Sequence, residues 1–358
     1  MNYNDYRRKS KKINVGGVAI GGDAPISVQS MTNTDTHDVE ATYRQVEALA
    51  SAGCDIVRIT APDEESISTF RELKRRGIKV PLVADIHFNH RIAVMAAEAG
   101  VDKIRINPGN IGSKENVREV VKACRERGVP IRIGVNSGSL EKDILSKYGS
   151  PTAEALAESA LYHASLLQEL DFEDIAISVK SSDVQTMIRA NRILAERTGY
   201  PLHLGVTEAG ARDRALVKSS IGVGTLLAEG IGDTVRVSLT DDPVLEVESA
   251  RMILSSLNIT EKRGLDIVSC PTCGRTKINL ISLLRDFECA AKNAGIDKKN
   301  IKVALMGCAV NGPGEAREAD IGIAGGDGCG LLFKKGEIIR KIDEKDILGE
   351  LIREIQMM

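Results

Sequence analysis

The chain has no tryptophan, and only 3% of its residues are aromatic. A stacking platform for single-stranded nucleic acid needs such rings. The formal net charge is −2, so no overall basic field draws a nucleic acid either. Long apolar runs are missing too, and none approaches the roughly 18 residues of a membrane span. The first residues, MNYNDYRRKSKK, are polar and lack the apolar stretch of an export signal. These absences point to a cytoplasmic protein that binds neither nucleic acid nor membrane. Histidine is scarce, and none follows Cys270.

What is present is a chain of 358 residues with 42% hydrophobic content. That length suggests two domains, or one large barrel and a smaller module. The seven cysteines, an odd number without an export signal, read as reduced thiols, a subset of them with metal or redox work.

Short Val/Ile-rich runs recur, each followed by a helical pattern: ISVQSM (26–31), DIVRIT (55–60), PLVADIH (81–87), KIRIN (103–107), IRIGVN (131–136), IAISVK (175–180), LHLGVT (202–207) and TVRVSL (234–239). Strand–helix alternation implies right-handed βαβ units around a parallel sheet. Eight units predict a (β/α)8 TIM barrel. A doubly wound sheet is the competing architecture, but the Gly-rich fingerprint that it would use is absent, since GVGTLL (222–227) has Leu at the third Gly position.

Side chains alternate between the faces of a strand. In VRI, IRI, IRI and VRV the branched neighbours face the outer helices, so Arg58, Arg105, Arg132 and Arg236 point inward, joined by Lys180. Inward carboxylates are fewer, Asp85 and Glu208. Buried charge without a partner is costly, so surplus cations near the strand C-termini call for an anion from outside. Arg fits phosphate oxygens with two prongs, which predicts a phosphorylated small molecule. Asn107, Asn136, Ser238 and His87 add polar groups nearby, with His87 read as a hydrogen-bonding residue. Glu208 is either a proton donor, once bound phosphate offsets the local positive charge, or one half of a structural ion pair.

After TDDP (240–243) and a helical stretch, TEKRG (260–264) reads as a linker. The expected domains are residues 1–262 and 263–358, the second a smaller α+β module. It holds C-P-T-C, Cys270 and Cys273, at a strand end. Cys308, at another strand end, is the best third ligand. Glu315 follows it by seven residues in GCAVNGPGE, a turn that could bring the carboxylate back to the same centre. Cys329 reads as either a ligand or a loop thiol, and Cys54, Cys124 and Cys289 as buried packing. Three cysteines and a glutamate are uncommon for structural zinc, which favours an iron–sulfur site, with zinc as the alternative.

The motifs VQSMTNTDT, KIRINPGN, GVTEAG, RVSLT, CPTCGR and NGPGE together resemble those of the bacterial 4-hydroxy-3-methylbut-2-en-1-yl diphosphate synthases, from about residue 13 to the C-terminal helix. The resemblance implies a TIM barrel followed by a domain like the cluster domains of sulfite and nitrite reductases. It implies one [4Fe-4S] cluster per subunit on Cys270, Cys273, Cys308 and Glu315. It implies reductive opening of 2-C-methyl-D-erythritol 2,4-cyclodiphosphate with electrons from flavodoxin or ferredoxin. Diphosphate binding falls on Arg58, Arg105, Arg132, Asn136, Lys180 and Ser238, and the proton-donor role on Glu208. It also implies a homodimer in which one subunit's cluster domain serves the other's barrel. Arg236 is not carried over by the resemblance. Two other readings compete: a phosphate-ester-binding barrel enzyme with a structural zinc site, and a non-catalytic iron–sulfur sensor.

Overall fold

The computed structural model describes residues 3–260, 264–309 and 316–358. The chain divides into two compact units, Met1–Thr260 and Glu261–Met358.

The first unit opens with an antiparallel hairpin, β1 (Ile13–Val15) and β2 (Val18–Ile20). Eight parallel strands follow: β3 (Ser27–Met31), β4 (Ile56–Thr60), β5 (Leu82–Asp85), β6 (Lys103–Ile106), β7 (Ile131–Asn136), β8 (Ile175–Lys180), β9 (His203–Leu204) and β10 (Thr234–Val235). They pair in the order β8-β7-β6-β5-β4-β3-β10-β9, and a parallel bridge between Ile177 and Leu202 joins the two ends into a ring. This is the expected (β/α)8 barrel.

β9 and β10 are shorter than the runs 202–207 and 234–239 suggested. A Cβ on Gly205 would lie 2.6 Å from the Arg236 carbonyl oxygen, so the two chains touch too closely for any side chain there. Beyond that point single hydrogen bonds replace the regular ladder. Arg236 N–H donates to the Leu204 carbonyl at 2.9 Å and Thr207 N–H to the Ser181 carbonyl at 3.2 Å.

The outer helices form where the sequence supplies both a cap and an apolar stripe. Asp38, Ser113, Thr152 and Asp183 each accept a hydrogen bond from a backbone N–H of the first turn of their helices. Losing such a cap costs about 1 kcal/mol. The helix Lys114–Arg127 turns Val117, Val120, Val121 and Cys124 inward and ends on Gly128 at φ 64°, a left-handed position suited to glycine.

The N-terminal hairpin, which the strand pattern did not reveal, supplies an apolar floor. Its Ile13, Val15 and Ile20 form one cluster with Ile56, Val83 and Ala176 from the barrel interior. That apolar floor contrasts with the polar residues farther along the same strands.

The second unit is a mixed five-stranded sheet: β11 (Asp266–Ser269), β12 (Lys302–Met306), β13 (Ile321–Gly326), β14 (Cys329–Lys334) and β15 (Glu337–Asp343), in that order. The first three strands run parallel and the last two pair antiparallel. LLFKKGEIIRKI is a hairpin whose turn places Lys335 and Gly336 at φ 49° and 81°, as a tight turn between twisted strands requires. Phe287 of the helix Leu280–Asn293 and Leu351 and Ile355 of the helix Ile347–Gln356 join Val303, Leu305, Ile321 and Ile323 in its core. Cys289, read as core packing, is exposed on its helix instead.

Candidate active site

The barrel register fixes which side chains share the interior. Arg105 lies opposite both Asp85 and Arg132, and Lys103 lies opposite Val83, a floor residue. Two-residue alternation then runs Lys103–Arg105–Asn107 on β6 and Arg132–Gly134–Asn136 on β7. Lys180 pairs across from Asn136. Arg58, Lys103, Arg105, Arg132 and Lys180 are all buried.

Among the described residues only one carboxylate meets these cations directly. Asp85 receives Arg105 Nη1 at 3.0 Å and stands 3.6 Å from Arg58 Nε. Burial alone would raise its pKa, but Arg58 and Arg105 more than reverse that and hold it well below the usual carboxylate range. Arg105 also donates to the Gly134 carbonyl at 3.2 Å. A Cβ on Gly134 would lie 2.3 Å from Arg105 Nε, so this glycine makes room for the guanidinium stem.

The rest of the set is short of acceptors. Arg132 Nη1 donates to Ser178 Oγ at 2.6 Å, while its Nε and Nη2 have no partner among the described residues. Arg58 donates Nε and Nη2 to the Met31 thioether at 3.1 and 2.9 Å, a weak acceptor. Lys180 has no hydrogen bond or ion pair among the described residues; burial first, then Arg236, Arg58 and Arg132, pushes its pKa well down. Burial and the nearby Arg132 and Arg58 do the same to Lys103. Arg58 is lowered to about 10, chiefly by burial, and stays charged at neutral pH. The interior therefore holds more positive charge than it can balance from its own side chains.

Arg236 differs from the others. Its Nε and Nη2 grip Glu246 at 3.1 and 3.0 Å, so this cation carries its own counter-charge. Glu246 lies on the helix Pro243–Ser256 after the last strand and escaped a reading based on strand alternation. Lys103 was also passed over, although its place two residues before Arg105 was the available signal.

Glu208 has an exposed side chain with no ion pair among the described residues. Its φ is 50°, a left-handed conformation that costs a non-glycine residue about 1 kcal/mol. Ser238 is half-buried two residues past Arg236, and His87 Nε2 lies 3.4 Å from Arg105 Nη1.

In the second unit, Cys270 and Cys308 follow the ends of the paired parallel strands β11 and β12. Gly307 N–H donates to Cys270 Sγ at 3.2 Å, which brings the two strand ends together. The Cys270–Lys277 loop returns to the same place, where Lys277 N–H meets the Gly307 carbonyl at 2.8 Å. A Cβ on Gly307 would lie 2.9 Å from the Thr276 side chain, so the loop fits there because residue 307 is glycine. Cys273 is exposed, and Cys270 and Cys308 are half-buried. Cys329 is buried at the start of β14. Glu315 lies outside the described residues. Among the described residues no three Cys, His, Asp or Glu side chains converge tightly enough for a single metal ion. Thiols at two adjacent strand ends and in one loop are the donor type that iron–sulfur groups use.

A parallel barrel whose interior is over-supplied with arginine and lysine, joined to a unit with thiols at one end of its sheet, belongs to the two-module barrel proteins suited to a small polyanion. Residues 10–251 match the family described as the GcpE TIM-barrel domain, and residues 266–357 match the GcpE protein C-terminal domain. The chain belongs to this family, that of the bacterial 4-hydroxy-3-methylbut-2-en-1-yl diphosphate synthases. It is 58% identical over 350 residues to the flavodoxin-type 4-hydroxy-3-methylbut-2-en-1-yl diphosphate synthase of Clostridium perfringens, covering 98% of this chain and 99% of that one. To the protein of the same name from Ruminiclostridium cellulolyticum it is 57% identical over 352 residues, covering 98% of each. Among solved structures, the spore coat polysaccharide biosynthesis protein of Bacillus subtilis shares the barrel fold alone, with a TM-score of 0.50 and 10% identity over 69% of this chain and 73% of that one. No helix among the described residues is long and apolar enough to cross a membrane.

Proposed function

We propose that the chain carries out the two-electron reductive ring opening and dehydration of 2-C-methyl-D-erythritol 2,4-cyclodiphosphate. The product is (E)-4-hydroxy-3-methylbut-2-en-1-yl diphosphate, in non-mevalonate isoprenoid biosynthesis. The observation that carries this reading is the charge imbalance in the barrel. Arg58, Lys103, Arg105, Arg132 and Lys180 are buried, and among the described residues Asp85 is the one carboxylate that pairs with any of them, in a chain of this family.

The barrel unit is the substrate-binding domain. A cyclic diphosphate is a compact dianion, and entry supplies the missing counter-charge. The unpartnered N–H groups of Arg132 gain acceptors, and Arg58 exchanges a weak thioether for phosphate oxygen. Nearby negative charge favours the ammonium form of Lys180, so a bound dianion opposes the downward shift that burial and the neighbouring arginines impose. Asn136 and Ser238 add neutral hydrogen-bond donors, which orient the ring without further charge. The departing oxygen leaves as water, so it must collect protons. Glu208, exposed and without an ion pair among the described residues, takes the donor role beside the bound diphosphate.

The second unit is the cluster domain. Cys270, Cys273 and Cys308, together with Glu315, would hold one [4Fe-4S] cluster per subunit. When bound, such a cluster supplies electrons one at a time. The relatives' names specify flavodoxin, which we take as the donor here, with ferredoxin the alternative. We extend the reading to a cytoplasmic homodimer in which each barrel is served by the partner's second unit. Mixing an Arg132→Met protein with a Cys308→Ser protein tests that extension: activity returns in the mixture if subunits share sites, and stays absent if they do not.

The function itself is tested by anaerobic purification, metal and sulfide analysis, and turnover of the cyclic diphosphate with a strong chemical reductant. About four irons per chain and formation of the linear product are expected. A loaded protein that makes no product would sink the enzyme reading, and one zinc without sulfide would favour the barrel enzyme with a structural zinc site.

A further inference from the structure

Two guanidinium groups converge on one sulfur at the edge of the barrel interior. Arg58 donates to Met31 Sδ through Nε and Nη2, and Arg236 Nη1 approaches the same atom at 3.7 Å. Like charges this close repel unless one of them is neutralised. Glu246 supplies that neutralisation, and its geometry does more than balance a charge.

The Glu246 carboxylate accepts four hydrogen bonds while only 3% exposed. Oε2 takes Arg236 Nε at 3.1 Å and Ser30 Oγ at 2.7 Å. Oε1 takes Arg236 Nη2 at 3.0 Å and the Leu239 backbone N–H at 3.2 Å. Ser30, on the neighbouring strand β3, fixes the carboxylate from behind, and the first-turn position of Glu246 suits its negative charge. The clamp thus grips the segment Arg236–Leu239 at both ends, with Ser238 between them. It also commits two of the three guanidinium nitrogens of Arg236. The third, Nη1, is left with only a distant thioether, next to the guanidinium of Arg58.

We propose that Glu246 is a positioning residue for diphosphate binding, which aims Arg236 Nη1 and the Ser238 hydroxyl at the same anion that Arg58 holds. This rests on the functional reading above for the identity of the substrate, but the clamp predicts diphosphate affinity whatever the reaction. A carboxylate beside an anion site normally weakens binding by repulsion. Here its four hydrogen bonds occupy both carboxylate oxygens, and a free arginine becomes a fixed one, which loses less side-chain freedom when the anion arrives.

The test compares wild-type holoenzyme with Glu246→Gln, Arg236→Met and the double variant. Calorimetry gives the Kd for inorganic diphosphate, and anaerobic kinetics with a chemical reductant give KM and kcat for the cyclic diphosphate. Iron content and Tm are measured alongside. Losing one charged hydrogen-bond partner should raise Kd and KM about tenfold, with kcat changed less than about twofold. In the Arg236→Met background the Glu246→Gln change should add clearly less than in wild type, because only its hold on Leu239, beside Ser238, is then left to lose. An unchanged Kd with a lowered Tm would make Glu246 purely structural and overturn the proposal. An equal rise in Kd in both backgrounds would overturn it too. If Glu246→Gln does not fold, Arg236→Lys carries the test, since it keeps the charge but loses the two-pronged grip. A raised Kd is again expected, and an unchanged one overturns the proposal. Wild-type protein that binds diphosphate but never turns over would count against the functional reading alone.

Discussion

The barrel interior and the thiol end of the second unit are organised in opposite ways. In the barrel, strand register holds Arg58, Arg105, Arg132 and Lys180 on one interior surface, and burial together with the neighbouring cations disfavours the charges of Arg58, Arg132 and Lys180. In the second unit, the three cysteines follow strand ends or sit in a loop, half-buried or exposed. The first site is preassembled and strained by its own charge. The second gathers thiols at two paired strand ends and in one loop, tied by hydrogen bonds at Gly307. The general lesson is that a dianion relieves a stress the barrel already carries, whereas a cluster would order strand ends and loop further by bridging them.

The largest effect is expected where the ligand supplies the order. Cys308→Ser should lose the stable cluster, with iron falling from about four per chain toward zero and turnover to background. Normal iron loading would remove Cys308 from the ligand set and blur the contrast between the two sites.

In the barrel, function and stability should move in opposite directions. Arg132→Met removes a buried cation that has too few acceptors, so substrate affinity should fall about 100-fold. The same change should stabilise the substrate-free barrel by roughly 1 kcal/mol, as replacing buried charge with packed apolar groups often does. Denaturant midpoints and KM check the two halves. A variant that loses stability as well would contradict the view of a strained interior.

Glu208→Gln separates chemistry from binding. With the exposed carboxyl replaced by an amide, turnover should drop about 100-fold, while KM moves by less than about threefold. Unchanged kcat would release Glu208 from the proton-donor role.

The smallest effect is a slope. Burial and neighbouring cations lower the Lys180 pKa in the folded chain. Between that lowered value and about 10.4, the value of an unfolded lysine, the unfolded state binds more protons. Stability of the substrate-free protein therefore rises with pH across that window. Substrate affinity falls over the same window, because the ammonium is the form that binds. Lys180→Met should flatten both slopes, which denaturant midpoints and KM measured against pH will reveal.

Much of this arrangement was legible in the sequence because a strand's two-residue alternation is a strict rule. A single Arg between branched residues could only point inward, and Arg58, Arg105 and Arg132 do. Other features lay beyond local pattern. Glu246 sits ten residues after Arg236 on a helix, and its pairing depends on how that helix returns to the strand end. The β1–β2 hairpin was signalled only by two apolar triplets around Gly16 and Gly17, too short to rank beside the eight longer runs. Cys289 was misjudged because a cysteine within an amphipathic helix reads the same on either face until the core is known. Glu208 was placed by sequence at a strand end, but the left-handed backbone it adopts in the GVTEAG turn is not conveyed by spacing alone.

The central claim, that an over-charged barrel is completed by a dianion, is tested most directly by proton uptake on binding. Holoenzyme without reductant is titrated with the cyclic diphosphate by calorimetry in two buffers of different ionisation enthalpy near pH 8. Net proton uptake, of at most about one proton per barrel, is expected because a bound dianion raises the lowered pKa of Lys180, and the uptake should shrink in Lys180→Met. Binding with no uptake, or with proton release, would contradict it.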